Sequence, residues 1–302
     1  MVSKYLHQRG YWAVEKAIEI HNLTKRYKDV CAVENLNLSI ENGEIFGFLG
    51  PNGAGKTTTI RALTGLAKPT SGSVSVCGFN VASEPEKVKR VIGVVQQHFT
   101  FDLDLNLREN MELHARLHHI PKNIRRQRID ELLEFVSLTK QSERLVEDLS
   151  GGMKKAAMIA RALLHQPKII FLDEPTVGLD VQIRRRMWDL IRKLSRSGTT
   201  IFLTTHYIEE AEALCSRVGI VNQGHLIALG SPSELRGQVG LATVEMLVGG
   251  EYTRYEHFVD RQEALAYMQC LPSDVKAVVR DSSLEDVFVK LTGKKVEADG
   301  DA

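Results

Sequence analysis

A glycine-rich loop at residues 50–57 limits strongly what the chain can fold into. Residues 50–57 read GPNGAGKT, which fits the pattern G-x-x-x-x-G-K-[ST]. An apolar run at residues 44–49 precedes the loop and a helical stretch at residues 56–66 follows it. In this strand–loop–helix context, backbone N–H groups can curl round a phosphate at the positive end of the helix. The sequence therefore predicts that the chain binds a nucleoside triphosphate.

Each part of the loop has an expected role in nucleotide binding. Lys56 is expected to reach the β- and γ-phosphates, and the Thr57 hydroxyl is expected to ligate Mg²⁺. The residues that we expect to contact the nucleotide in this loop are Gly50, Pro51, Asn52, Gly53, Ala54, Gly55, Lys56, Thr57 and Thr58.

A second motif, KIIFLDE at residues 168–174, is an apolar β-run that ends in two carboxylates. We expect Asp173 to hold Mg²⁺ through water, because Mg²⁺ keeps much of its hydration shell. Glu174 is then in position to orient or deprotonate the attacking water. Together with the phosphate loop, this pair predicts hydrolysis of the bound nucleotide.

Composition excludes several classes of protein. With a formal net charge of +1, the 302-residue chain has no strong global field that would favour nucleic acid or an acidic membrane surface. The four cysteines are scattered without C-x-x-C spacing, which predicts neither a zinc site nor a disulfide framework. Apolar runs stay shorter than the 18 residues of a membrane span. These features predict a cytosolic protein whose membrane role, if any, depends on a partner.

The order of elements predicts an α/β fold. Two β-like runs between residues 17 and 40 flank the turn Lys28-Asp29 and indicate antiparallel strands. Later strands alternate with helices, which predicts a largely parallel sheet covered on both faces. Residues 105–165 are strongly helical, and residues 241–302 predict a small unit with short strands and two helices. Its last helix is predicted to begin with a capping box formed by Ser282 and Glu285.

The segment LSGGM at residues 149–153 gives the two motifs a family context, with Ser150 as the predicted N-cap of a helix over residues 154–164. Over residues 17–232 the chain resembles the nucleotide-binding subunits of ATP-binding cassette (ABC) transporters. That family has its motifs in a fixed order, and this chain supplies each of them. They are Tyr27, the loop at residues 50–57, Gln97, the LSGGM segment, Asp173-Glu174, Gly178-Leu179-Asp180 and His206.

The resemblance implies a P-loop NTPase core of ABC type, with an antiparallel β subdomain, a helical signature subdomain and a small C-terminal α+β accessory domain. The expected boundaries are an N-terminal extension at residues 1–16, the ABC nucleotide-binding domain at residues 17–232 and the accessory domain at residues 233–302. The helical subdomain is expected at about residues 98–165, and the accessory domain is expected to end in an acidic tail.

The resemblance also implies site roles around ATP and Mg²⁺. Tyr27 would stack on the adenine, although it could instead pack on its own strand. Gln97, or less readily Gln96, would touch the metal and the attacking water, and His206 would contact the γ-phosphate. Glu174, His206, Gln97 and Lys56 are thus the expected catalytic residues, and Thr57, Gln97 and Asp173 the expected metal site.

A composite site is implied as well. Ser150, Gly151 and Gly152 would contact ATP held by a second cassette, and Asp180 would lie at the seam of this head-to-tail dimer. The glycine motif here ends in Met153, where many members of the family have glutamine. Any polar contact from that side chain is therefore absent.

The expected partners are a second ABC subunit and transmembrane permease subunits, with no nucleic acid. Residues 282–293, SSLEDVFVKLTG, look like the carboxyl end of daunorubicin-resistance-type exporter ATPases, although this amphipathic helix could simply pack on its own domain. The apolar residues that follow Gln97 suit either a membrane subunit's cytoplasmic helix or core packing. We therefore expect an exporter ATPase on the cytoplasmic face of a membrane.

Two other classes of ABC protein stay open. One is a soluble ABC ATPase acting on ribosomes or nucleic acid, which a single cassette without a basic tail disfavours. The other is a regulatory cassette that only binds nucleotide, which the presence of Glu174 and His206 disfavours. His114 and His118, at i and i+4 on a predicted helix, are interpreted as a solvated face rather than a metal pair.

Overall fold

The computed structural model describes residues 16–248, 252–272 and 275–292. The predicted N-terminal extension, apart from Lys16, and the acidic tail lie outside these residues. Within them, no helix is long and apolar enough to cross a membrane.

A six-stranded sheet forms the centre of the fold, in the order β10-β9-β3-β8-β7-β6. Every neighbouring pair is parallel except β9 and β10, which form an antiparallel hairpin around Gln223-Gly224. Strands β3, β7 and β8 are buried along their whole length, as expected for a sheet that is covered on both faces. The six strands are β3 Ile45–Leu49, β6 Ile92–Val95, β7 Ile169–Asp173, β8 Thr200–Thr205, β9 Arg217–Asn222 and β10 His225–Gly230.

A second, antiparallel sheet covers one face of the central sheet. Its order is β2-β1-β4-β5, and the turn between β1 and β2 lies at Lys28-Asp29 as predicted. Phe46, Phe48 and Phe202 of the central sheet pack towards it in one apolar cluster. Helices α1 Lys56–Leu63 and α2 Pro85–Val91 lie on this side, with the strands β1 Lys16–Tyr27, β2 Val30–Glu41, β4 Ser71–Val76 and β5 Phe79–Asn80.

Helices cover the opposite face, where Ile45, Leu49 and Leu172 join a larger apolar cluster. The alternation along β3 follows from strand geometry, since successive side chains point to opposite faces. The helical stretch predicted after Gln97 supplies three of the helices, and the segments after β7 and β8 supply two more. These are α3 Leu107–Leu117, α4 Lys122–Phe135, α5 Gly151–Ala162, α6 Val181–Arg196 and α7 Ile208–Leu214.

The C-terminal part contains a three-stranded antiparallel sheet, β12-β11-β13, with its own small core. Its last helix instead packs against the central fold, because Leu284, Val287 and Phe288 belong to the larger cluster together with Leu235 and Val239. The elements are α8 Pro232–Val239, β11 Ala242–Val248, β12 Tyr252–Phe258, α9 Arg261–Gln269, β13 Lys276–Asp281 and α10 Leu284–Thr292.

Three helix ends differ from the sequence prediction for local reasons. Helix α1 ends at Leu63 because Gly65 adopts φ +75°, which terminates the helix. Helix α5 begins at Gly151 rather than at residue 154, and the predicted N-cap Ser150 is confirmed, since its side chain accepts a hydrogen bond from the Met153 N–H. The predicted capping box of α10 is wrong by one residue: the Asp286 carboxylate, rather than that of Glu285, accepts from the Ser283 N–H at 2.7 Å.

Candidate functional site

The predicted motifs meet at the carboxyl edge of the central sheet. The phosphate loop follows β3, Glu174 follows β7, His206 follows β8 and Gln97 lies two residues after β6. Because these four strands are parallel and adjacent to one another, their ends deliver residues that are far apart in sequence to one place. Ligands of open α/β sheets characteristically bind outside the carboxyl ends of the strands.

Two glycines make the phosphate loop possible. Gly55 has φ +102°, and an added Cβ there would lie 2.3 Å from the Ala32 carbonyl oxygen. Gly53 also has positive φ, but an added Cβ there would meet no atom within 4 Å. Packing therefore requires glycine at position 55, and the backbone conformation requires glycine at position 53. The open space at Gly53 suits the approach of a phosphate.

Lys56 is buried at the start of α1 and points back over the loop. Its ammonium donates hydrogen bonds to the carbonyl oxygens of Gly50, at 2.8 Å, and Pro51, at 3.1 Å. It also lies 3.1 Å from Oε1 of Glu174. A buried ammonium held in this way provides a fixed positive charge inside the loop, where a triphosphate carries its negative charge.

Asp173 ends β7 beside the Thr57 hydroxyl of α1. Its Oδ1 accepts hydrogen bonds from Thr204 Oγ1, at 2.6 Å, and Thr57 Oγ1, at 3.3 Å. The Thr57 hydroxyl and the Asp173 carboxylate are hard oxygen ligands, the type that Mg²⁺ prefers. These residues fit the ion. Within the described residues, no group of three or more His, Cys, Asp or Glu side chains forms an all-protein metal cage.

Glu174 is the hub of the site. Its Oε1 lies 3.1 Å from Lys56 Nζ and 3.3 Å from His206 Nδ1, and its Oε2 accepts from Gln97 Nε2 at 3.1 Å. The residue has φ +48°, and its N–H donates to both the carbonyl oxygen and the hydroxyl of Thr204, each at 3.1 Å. A non-glycine residue held in the left-handed region by its neighbours is typical of functional sites.

The charges around Glu174 keep it ionised. Burial acts to raise the pKa of Glu174, but the hydrogen bond with His206 and the positive charge of Lys56 outweigh it, so this pKa lies below its usual value. The carboxylate is therefore deprotonated at neutral pH, as a group that accepts a proton from water must be. The arrangement can bind a triphosphate and orient a water molecule beside it.

One residue of the site escaped the sequence prediction. Lys155, on α5, is 4% exposed, and its Nζ donates a 2.6 Å hydrogen bond to the Gln97 carbonyl oxygen. Burial lowers its pKa, while the carboxylates of Asp173 and Glu174 act in the opposite direction. Lys155 thus connects the helix that follows LSGGM to the glutamine beside Glu174. Nothing in the Gly-Met-Lys-Lys run of the sequence marks this lysine rather than its neighbour as buried.

The phosphate loop and its neighbours line a cavity of about 330 Å³. The residues of the LSGGM segment do not line it. Ser150, Gly151 and Asp180 are exposed, whereas Gly152 packs against α6, where an added Cβ would lie 2.3 Å from Ile183 Cγ2. The cavity is lined by Ala32, Asn52, Gly53, Gly55, Lys56, Thr57, Thr58, Gln97 and Glu174.

Two other predicted features lie outside this cavity. Tyr27 does not line it; its ring is 42% exposed, with the Lys25 ammonium 4.6 Å from its centroid. His118 stacks on His165, with the ring centroids 4.0 Å apart, and His114 is half-buried. Burial lowers the pKa of His114 to about 4, so this side chain is less solvated than predicted, whereas His118 is exposed.

Comparison with known proteins gives a consistent result. The family model described as "ABC transporter" matches residues 33–177. The "Nod factor export ATP-binding protein I" of Burkholderia orbicola (strain AU 1054) is 37% identical over 300 residues, which cover 93% of this chain and 98% of that protein.

Two solved structures share the fold. One is cbiO1 from Clostridium perfringens, described as part of the ABC transporter complex cbiONQ. It has a TM-score of 0.69 and 28% identity, and the match covers 73% of this chain and 90% of that one. The other is a dimeric ATP-binding cassette in a post-hydrolysis state with ADP and Pi. It has a TM-score of 0.65 and 30% identity, and the match covers 71% of this chain and 98% of that one.

Proposed function

The chain belongs to the ATP-binding subunits of ABC transporters, and we propose that it powers export by pairing with a second cassette on the cytoplasmic side of membrane subunits. Members of this family hydrolyse ATP to ADP and phosphate, and this chain is such an ATPase. The observation that carries the proposal is the convergence of Lys56, Gln97 and His206 on the Glu174 carboxylate beside the phosphate loop.

We assign the hydrolytic roles as follows. Lys56 and the loop N–H groups bind the β- and γ-phosphates, which neutralises charge as the terminal phosphoryl group leaves. Glu174 orients the attacking water and draws its proton, because it is ionised and lies beside the loop. His206 and Gln97 hold Glu174 and contact the γ-phosphate side of the nucleotide. Tyr27 stacks on the adenine.

Magnesium is assigned to Thr57, Asp173 and Gln97, of which the first two fit it by their oxygen donors. When bound, Mg²⁺ supplies positive charge to the β- and γ-phosphate oxygens. The protein's part is to hold the Asp173 carboxylate still, which the 2.6 Å hydrogen bond from Thr204 accomplishes.

A second cassette completes each nucleotide site in this proposal. Ser150 and Gly151 are exposed and do not line the cavity, although Ser150 begins a helix whose positive end suits a phosphate. A copy placed head to tail would bring this helix end to the partner's ATP, and Asp180 would then lie at the seam. The dimeric structure of a related cassette supports this arrangement.

The membrane subunits are assigned to the surface just after Gln97. Phe99 is 45% exposed and Leu103 is 56% exposed, on the segment between Gln97 and α3. Phe99 also lies under the ammonium groups of Lys154 and Lys155, at 5.9 and 5.6 Å from its centroid, so this surface adjoins the signature helix. A partner bound here would sense the position of Gln97 and α5 together. The cbiONQ complex supports a partnership of this kind.

The direction of transport rests on the relatives, whose names specify export. Strains with and without the chain would be compared by mass spectrometry of the culture medium and of cell extracts. We expect the compound that disappears from the medium to accumulate in the cells of the deleted strain. Accumulation in the medium and depletion in the cells would instead identify an importer.

Affinity purification of the chain from native membranes in mild detergent tests the partnership. We expect a polytopic membrane protein at near-equal stoichiometry, and Leu103→Glu should lose it while ATP binding is kept. Val259→Glu is the matched control, because Val259 is 70% exposed in the C-terminal part. Ribosomal or DNA-binding proteins as the sole partners would refute the transport assignment and favour a soluble ABC ATPase.

A further inference from the structure

A second glutamate behind the site is buried without touching the nucleotide cavity. Glu210 lies on α7, four residues after His206, and is 0% exposed. Carboxylates are almost never fully buried unless they are paired, because burial of an ionised group is costly. Its neighbour Glu209 is exposed on the same helix. The position of Glu210 therefore needs a physical explanation.

Its hydrogen bonds join two other elements. Glu210 Oε1 accepts from Thr176 Oγ1 at 2.8 Å and from Trp188 Nε1 at 3.1 Å. Thr176 lies in the turn between Glu174 and Asp180, and Trp188 lies on α6, which begins directly after Asp180. One carboxylate oxygen thus connects α7 to the turn that precedes Asp180 and to α6, which follows it.

The turn itself is short and internally bonded. The Val177 N–H donates to the Glu174 carbonyl oxygen at 3.4 Å, and the Leu179 N–H donates to the Thr176 carbonyl oxygen at 3.2 Å. Thr176 lies two residues after Glu174, whose φ of +48° is strained, so the hydrogen bond to Glu210 is made close to the Glu174 backbone.

The residue that precedes α7, Tyr207, connects this helix to His206. Tyr207 packs against the His206 ring, with centroids 4.2 Å apart, and its ring also faces the Arg184 guanidinium of α6 at 4.5 Å. Burial raises the pKa of Glu210, while hydrogen bonds from Thr205, Thr176 and Trp188 act in the opposite direction. Thr205 is the residue directly before His206, so these donors come from both catalytic segments.

We propose that Glu210 is a positioning residue for ATP hydrolysis. It fixes the Glu174–Asp180 turn to the helix after His206, so that Glu174 and His206 keep their 3.3 Å contact and a movement of Asp180 reaches His206. The inference rests on the proposed roles of Glu174, His206 and Asp180. Because Glu210 lies outside the residues that line the cavity, its loss should affect turnover and leave nucleotide affinity intact.

The test uses the purified full chain carrying Trp12→Phe, which leaves Trp188 as its one tryptophan. In this parent, Glu210→Gln keeps the shape of the side chain but replaces the carboxylate by an amide. Thr176→Val removes the donor from the opposite side of the same hydrogen bond. Glu209→Gln is the matched control, with the same chemical change one residue away on an exposed position. The readouts are kcat and KM for ATP, ATP affinity by calorimetry, and Trp188 emission.

We expect Glu210→Gln and Thr176→Val to lower kcat by about 10- to 100-fold, with KM and ATP affinity within about twofold of the parent. The emission of Trp188 should shift in Glu210→Gln, because its indole N–H then faces an amide instead of a carboxyl group. Glu209→Gln should match the parent in every readout. If Glu210→Gln does not fold, Thr176→Val decides by the same criteria.

Two results would overturn the inference: kcat within about twofold of the parent in both variants, or a loss of ATP affinity as large as the loss of kcat. The second result would indicate a general structural role. Failure of the proposed function gives a different pattern. In that case the parent would hydrolyse no ATP, or Glu174→Gln would leave turnover unchanged.

Discussion

Replacing His165 with glutamine should make the free energy of unfolding less sensitive to acid. His165 follows α5, and its Nε2 lies 2.7 Å from the Ile92 carbonyl oxygen while its ring stacks on His118. Burial lowers the pKa of His165 to about 4, and the charges of His118 and Arg128 act in the same direction, against the hydrogen bond to Ile92. The folded chain therefore keeps this imidazole neutral.

The linkage between protonation and folding gives the sign and the size of this change in the free energy of unfolding. An unfolded histidine has a pKa near its model value of 6.5, so below this pH the unfolded chain takes up a proton that the folded chain refuses until about pH 4. Stability is thus unaffected above pH 6.5 and is lost progressively as the pH falls towards 4. The full difference corresponds to about 3 kcal/mol, and partial exposure of the ring reduces this to roughly 1–2 kcal/mol.

Urea unfolding at a series of pH values from 7 to 4.5 measures the effect. Glutamine keeps a donor near the Ile92 carbonyl but takes up no proton, so the His165→Gln curve should fall less steeply by roughly 1–2 kcal/mol over this range. His21→Gln is the control, because it makes the same substitution at an exposed position on β1. Parallel curves for wild type and His165→Gln would show that His165 does not contribute to the loss of stability in acid.

Three further predictions concern other parts of the chain. Lys155→Met should lower kcat about tenfold or more in an ATPase assay, because Gln97 loses its 2.6 Å tether; unchanged kcat would exclude this role. Phe288→Ala should lower the free energy of unfolding by about 3–5 kcal/mol, against less than about 1 kcal/mol for the half-exposed Leu291→Ala, and equal small losses would contradict the docking of α10. Ser150→Arg should keep ATP binding by calorimetry but prevent ATP-dependent dimerisation in gel filtration, and a normal dimer would exclude the composite site.

The central sheet could be predicted from the sequence because each of its catalytic motifs ends an apolar strand. The order of the strands could not. β3 lies between β8 and β9, whose paired residues are more than 150 positions away in sequence, and such pairing depends on contacts that no local pattern encodes. The start of α10 could not be predicted exactly either. Ser283 and Asp286 form its cap, one residue away from an equally good pattern.

The predicted site residues share a feature that the missed ones lack. Lys56, Glu174 and His206 belong to motifs whose spacing is unusual, whereas Lys155 and Glu210 each sit beside a chemically identical neighbour on a helix. Which member of such a pair is buried depends on how the helix packs against distant elements. The amphipathic pattern of α10 predicted an apolar face, but not that this face would join the core of the central fold.

In the proposed function, ATP joins two cassettes around a site in which Glu174 is required for hydrolysis. The most direct measurement is the molar mass of the Glu174→Gln chain by gel filtration with light scattering, with and without ATP and Mg²⁺. We predict a monomer without nucleotide and a stable dimer with ATP, and Lys56→Ala in the same chain should abolish the dimer. A monomer at ATP concentrations that saturate binding by calorimetry would show that ATP does not join two cassettes of this chain.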